Sequence, residues 1–394
     1  MTSPSRGRRL LILLLVHSAL TQVITFVVRP AATYRALELD VPGAWLGALA
    51  ASFAVVPFVL AVPSGQATDR FGERPVMLTG SVLLLLAGPV LLLTGHSPLG
   101  LVAGTVVLGT GHLLSVVGQQ AAVANAAPTG RLDTAFGYYT FAASLGQAAG
   151  PALITLVAGT KAIPDTGVLF VIAGALGVAL LIAAVVLRVP PHAAEARDGG
   201  SGSLASLVRL PGLMRALLIS CMVLAAVDIT LVYLPALGAD RGLTAGFIGL
   251  LLTLRAVASM TSRVLLGRLV DRFGRRRLMI AMVALSAVSM AGLGFPLPPV
   301  AMTVLVLLLG LGLGVGQPLT MAWLATSAPS GQRGRAMSLR LTGNRLGQIV
   351  IPSAVGAVAA GVGAAGVLWA TAAALAVVTA AARRMAGDPP SAAS

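Results

Sequence analysis

Charge is scarce in this 394-residue chain: Asp, Glu, Lys and Arg make up 10% of it, and 12 acidic residues face 27 basic ones. A single cysteine, Cys221, excludes an intrachain disulfide, and its place inside an apolar run makes it a packing residue rather than a redox centre. The sequence has no phosphate-binding G-x-x-x-x-G-K-[ST] stretch, no close His/Cys spacing for a metal and no G-x-S-x-G elbow. These absences argue against an ATP-driven pump, a metal site and a membrane enzyme, so no cofactor is expected.

Apolar residues are abundant instead. They form 57% of the chain, and the mean hydropathy is +0.94, more than a soluble core can absorb. A membrane-spanning helix needs roughly 20 mostly apolar residues. Runs of that length lie at 10–28, 44–63, 76–95, 99–126, 135–158, 167–187, 214–236, 245–265, 278–295, 300–327, 336–360 and 363–382, which predicts twelve spans in an all-α integral membrane fold. The first run follows basic residues as a signal peptide would, but it is long and lacks a small-residue cleavage site, so it is read as a retained span.

A net charge of +15 would suggest nucleic acid for a soluble protein, but here the arginines gather on alternate connections. They stand before the first span and at Arg70 and Arg74, Arg131, Arg188 to Arg215, Arg268 to Arg277, Arg333 and Arg335, and Arg383 and Arg384. The opposite connections are assigned only Arg29, Arg35, Lys161 and Arg241. Basic loops stay inside, so both termini are expected to be cytoplasmic, in the plasma (inner) membrane, with the bilayer as a partner and nucleic acid excluded.

The most polar stretch, residues 188–213, carries Pro, Gly and Ser and reads as a flexible linker between an N-terminal half, 1–187, and a C-terminal half, 214–394. The halves repeat each other. "GQATDRFGERP" places Gly65, Asp69, Arg70, Gly72 and Arg74 after the second span. "GRLVDRFGRRR" repeats the pattern 202 positions later, with Gly267, Asp271, Arg272 and Gly274 after the eighth. "APTGR" at 127–131 recurs as "APSGQ" at 328–332, and "LGQAAGP" at 145–151 as "LGQIVIP" at 346–352, which marks an internal duplication.

Twelve spans, two six-helix repeats and the doubled G-x-x-x-D-R-x-G-x-R loop resemble the major facilitator superfamily over essentially the whole chain. The resemblance implies a secondary transporter working by alternating access, with solute and protons as partners, the proton gradient as driving force, and the monomer as working unit. It implies that the loops of Asp69 and Asp271 are latches between halves, formed in one access state and broken in the other. Gly137, Gly146, Gly150 and Pro151 reproduce the spacing G-x8-G-x3-G-P, which resembles the antiporter motif of drug exporters in that superfamily and implies proton-coupled efflux. The pattern departs at Ile154 and Thr155, where exporters continue with glycines, and the fourth span lacks their arginine. Proton-coupled uptake of a small organic anion therefore stands as the alternative. A non-transporting receptor or scaffold is disfavoured by the paired loops and by the lack of a soluble domain.

Ionisable groups within hydrocarbon are costly and mark function. Asp228 is the only acid inside a predicted span. It lies about 20 Å along the seventh helix from Arg215, and Arg255 lies about 18 Å from Gly267 in the eighth, at 1.5 Å per residue. Similar depth predicts a proton-coupling pair of Asp228 and Arg255. In the eleventh span Arg340, Asn344 and Gln348 share one face, with Arg345 beside them. His17, Gln22, His112, Gln119, Gln147 and Gln317 complete the polar groups expected to line a solute cavity. With two arginines at mid-span and one acid to offset them, that cavity should prefer neutral or anionic amphipathic solutes.

Overall fold

The computed structural model of the chain describes residues 4–126, 132–187, 213–327 and 333–383. The "APTGR" and "APSGQ" segments and all of the predicted linker except Leu213 lie outside them. Every regular element among the described residues is an α-helix. The N-terminal half consists of α1 (Pro4–Glu38), α2 (Gly43–Phe71), α3 (Glu73–Thr94), α4 (Pro98–Ala126), α5 (Leu132–Ala158) and α6 (Thr166–Val186). The C-terminal half consists of α7 (Leu213–Asp240), α8 (Ala245–Val264), the short α9 (Leu266–Phe273), α10 (Arg275–Leu293), α11 (Pro299–Ser327) and α12 (Arg333–Arg383).

Eleven helical segments among the described residues are long and apolar enough to cross a bilayer. The remaining predicted span, 336–360, is the first arm of α12, and its arginines and amides are what make it less apolar. Gly363, with φ of +67°, joins this arm to the second, a backbone conformation open to glycine and strained for other residues. Large apolar side chains stand exposed on the outside of the bundle, among them Leu156 at 79%, Val300 at 75% and Leu93 at 75%. Such a surface suits lipid and would be untenable in water.

Helices overrun their apolar runs for a physical reason. The 29 residues of α2 extend about 44 Å, beyond a hydrocarbon core of about 30 Å, so its last turns emerge on the basic face. The first charged motif is therefore mostly helix. Gly65 lies within α2, and the chain turns only at Gly72, whose φ of +86° needs no β-carbon. In the second copy α8 is offset from α9 at Leu265, and the turn falls on Gly274 with φ of +75°.

Contact between the halves is concentrated on the face opposite these turns. There the Ala245 amide donates to the Lys161 carbonyl at 2.8 Å and the Tyr233 hydroxyl to the Gly43 carbonyl at 3.4 Å. Gly47 of α2 rests on Pro352 and Gly356 of α12, and Gly246 of α8 rests on the Gly159 carbonyl. Towards the basic face, a β-carbon at Gly65, Gly137 or Gly267 would meet no atom within 4 Å. The space between the halves is thus sealed on one side.

Candidate functional site

Above that seal, between the halves, lies a cavity of about 180 Å³. Helix α1 contributes Gln22, Thr25, Phe26 and Arg29, α2 Phe53, α4 His112 and α5 Gln147. From the other half come Val223, Leu224, Val227 and Asp228 of α7, Arg255 and Arg263 of α8, Leu313 and Gln317 of α11, and Leu341, Asn344, Arg345 and Gln348 of α12. Four arginines thus share this wall with one carboxylate.

The carboxylate is held across the halves. Arg29 Nη1 donates to Asp228 Oδ1 at 2.5 Å with both side chains 4% exposed, so the charges are shielded from water and compensate each other. Gln348 Nε2 donates to the other oxygen, Asp228 Oδ2, at 2.6 Å, and Arg345 Nη1 donates to Gln348 Oε1 at 3.0 Å. The Arg29 guanidinium also stacks 4.5 Å from the centre of the Phe53 ring, a favourable placement for a cation on an aromatic face.

This corrects two expectations. Asp228 pairs with Arg29 and not with Arg255, although Arg255 lines the same cavity. Arg29 does not belong to an outer connection: α1 continues to Glu38, which places Arg29 well inside the helix at 5% exposure. The signal was present in the sequence, since Gln22, Thr25 and Arg29 fall at i, i+3 and i+7 on one helical face. Phe53, Phe26, Thr25 and Arg263 were also missed as wall residues. Arg263, which the sequence reading left without a role, donates from Nη1 to Ser144 Oγ at 2.9 Å and from Nε to the Gly314 carbonyl at 3.2 Å.

Of the ten residues expected to line the cavity, Gln22, His112, Gln147, Gln317, Asn344, Arg345 and Gln348 do so. Arg340 stands behind the wall, where its Nη1 donates to Gln317 Oε1 at 2.6 Å and to Ser220 Oγ at 3.2 Å. Gln317 is fixed in turn by its own amide on the Ser220 carbonyl at 2.7 Å. His17 and Gln119 lie away from the cavity, inside the N-terminal half. Gln119 Nε2 meets His17 Nδ1 at 2.7 Å, His17 Nε2 meets Ser81 Oγ at 2.9 Å, and the Tyr139 hydroxyl donates to Gln119 Oε1 at 3.1 Å. Both ring nitrogens of His17 are thus occupied by uncharged partners within one half, which suits a packing role.

The charged turns stand open to solvent in this structure. Asp69, Arg70, Asp271 and Arg272 are exposed, and neither aspartate forms an ion pair among the described residues. Arg74 donates from Nη2 to the Val185 carbonyl in the last turn of α6 at 2.8 Å. Arg276, its repeat counterpart, donates likewise to the Arg383 carbonyl at the end of α12. Each satisfies a carbonyl left open at a helix C-terminus, where positive charge is favoured. In the fifth helix Gly146 and Gly150 pack on α1 against Ala19, Gln22, Val23 and Phe26, whereas Gly137 has open space beside it.

No curated protein matches this chain, but solved structures of the same architecture do. The D-xylose-proton symporter aligns with a TM-score of 0.77 and 18% identity over 98% of this chain and 99% of its own. The nucleoside transporter NupG aligns with a TM-score of 0.73 and 17% identity over 95% and 98%. A bacterial homologue of the human lysosomal transporter Spinster, inward-facing and occupied, aligns with 0.74 and 16% over 99% and 100%. The model of the Major Facilitator Superfamily matches residues 12–237 and again residues 216–394, two overlapping matches that together span most of the chain. With both repeats covered and a cavity between them, the chain belongs to the Major Facilitator Superfamily of membrane transporters.

Proposed function

We propose that this transporter moves a small organic anion together with protons by alternating access, with Asp228 as the proton-responsive group. The observation that carries the reading is the Arg29–Asp228 bridge between the halves, set in a wall where four arginines face one acid. Protonating Asp228 removes the only negative charge on that wall and releases Arg29. An arginine left without a partner in a low-dielectric site seeks another anion. Proton and anion then favour each other's binding, the thermodynamic condition for carrying both in one direction.

The basic face is cytoplasmic in this reading, by the positive-inside rule, so the sealed face is external and the cavity is poised towards the cytoplasm. An inward proton gradient would then drive uptake across the plasma membrane. Export by exchange is the second reading, favoured by the resemblance of the spacing of Gly137, Gly146, Gly150 and Pro151 to exporter motifs.

Proteoliposomes holding a pH-sensitive dye, challenged from outside with small carboxylates, separate the two. Co-transport acidifies the lumen beyond the rate in protein-free vesicles, whereas exchange makes it alkaline. Asp228→Asn should abolish the proton signal while sparing exchange of anion for labelled anion. A mutant with an undiminished proton signal would remove Asp228 from the coupling.

A further inference from the structure

Arg255 is 2% exposed and lines the cavity, and its Nε and Nη2 are both buried without a hydrogen-bond partner. These two atoms are not an arbitrary pair. In a guanidinium, Nε–H and the neighbouring Nη2–H point the same way and form one edge, spaced to match the two oxygens of a carboxylate. The other wall arginines have part of their donor set engaged: Arg29 Nη1 on Asp228, Arg345 Nη1 on Gln348, and Arg263 Nε and Nη1 on Gly314 and Ser144. Buried donors are normally satisfied, and this unpaired edge belongs to a residue of the cavity wall, within a side-chain movement of a solute there.

We propose that Arg255 is the residue that binds the substrate's oxyanion, through the edge formed by Nε and Nη2, with Arg29 Nη2 as an additional donor. Arg29 Nη2 is likewise buried without a partner on the same wall. This assigns Arg255 to substrate recognition in place of the proton-coupling pair and leaves Arg345 to position Gln348 against Asp228. The ligand class is a small solute ending in a carboxylate or a phosphate. The inference rests on the reading of the cavity as an anion site, and it is independent of whether protons are coupled.

Equilibrium binding to purified protein tests it without a proton gradient. The probes are lactate, succinate, benzoate, inorganic phosphate and glucose 6-phosphate, each followed by thermal shift and calorimetry, with lactamide and benzamide as neutral controls. The carboxylate and phosphate arms identify which oxyanion the site takes. Arg255→Lys keeps the charge and loses the fork, so affinity for the anion bound by the wild type should fall about tenfold or more, the scale of losing one charge-assisted hydrogen bond. Arg345→Lys should change it less. Because Arg255→Lys could perturb folding, the wild-type arginine ¹⁵Nε spectrum supplies a second readout: the Arg255 resonance should shift on saturation with that anion. An unshifted resonance, or equal affinity in Arg255→Lys and the wild type, would overturn the assignment and leave the anion site itself standing. If no probe anion binds the wild type, both readings fall. Loss of binding in Arg255→Lys without any proton signal in vesicles would sustain this assignment and sink the coupling.

Discussion

Gly249 of α8 lies against the carbonyl oxygen of Pro151 in α5, so close that a β-carbon would sit 2.9 Å from it. The repeat reproduces the contact with the halves exchanged, since Gly47 of α2 lies against the carbonyl of Pro352 in α12. Two glycines and two prolines thus make the seam that closes one face. Backbone cannot yield as a flexible side chain can, so overpacking here should cost about 1–3 kcal/mol in the closed arrangement and little in the open one. Gly249→Leu and Gly47→Leu should each hold that face open, raising cysteine labelling of cavity positions from the side of the seam and lowering transport at least tenfold. Unaltered labelling in both would show that the seam does not govern access.

The Arg29–Asp228 bridge should behave as a coupled unit. Arg29→Gln leaves a buried carboxylate without its cation and should destabilise the protein by about 3–5 kcal/mol, with Asp228→Asn costing a similar amount. The double variant removes both charges and should be much more stable than the sum of the two losses implies. Melting of the purified proteins in detergent measures the cycle. Additive losses would mean that the two groups do not depend on each other.

These relationships divide sharply in how far the sequence reveals them. Spans, halves and the doubled motif are periodic or compositional, and all are visible along one chain. The Arg29–Asp228 pair joins positions 199 apart in sequence, and nothing local to either residue names the other. Hydropathy also misled at Arg29 itself, because an apolar run ends at its first charge whereas a helix does not when that charge finds a buried partner. The face formed by Asn344 and Gln348 was legible from helical spacing. Whether Arg340 on the same face reached the cavity depended on Gln317, a residue of another helix.

Arg74 and Arg276 make a repeat-related pair of helix caps that the motif alone could not distinguish from headgroup anchors. Each closes the C-terminal end of the last helix in its own half. Replacing either by Gln removes the charge that favours the helix terminus and should cost about 0.3–1 kcal/mol, lowering the thermal midpoint slightly while leaving substrate affinity unchanged. A change in affinity without a change in midpoint would show a role in transport that the capping geometry does not supply.

His17 offers a control on the assignment of the proton site. Both of its ring nitrogens are occupied within the N-terminal half, on Gln119 and Ser81. His17→Gln should lower stability, as expected when a buried polar network loses a member, and leave the pH dependence of transport where it was. A shifted pH profile would place His17 on the proton path and weaken the case for Asp228 acting alone.

Asp69 stands exposed in the last turns of α2, on the face opposite the Gly47 and Gly249 contacts. A latch between the halves at that face would form when the basic ends approach, which is the access state opposite to the one seen here. Asp69→Asn should therefore leave this arrangement intact and disfavour the other, increasing cysteine labelling of the cavity from the basic face and lowering the rate of transport more than substrate affinity. Asp271→Asn should do less, because the turn after α9 is already tied to its own half by Arg276 on the Arg383 carbonyl, and Arg275 and Arg277 beside it favour anionic headgroups. Identical labelling in Asp69→Asn and the wild type would remove the latch role from this turn. Equal effects at both aspartates would mean that the tie through Arg276 does not distinguish the two halves.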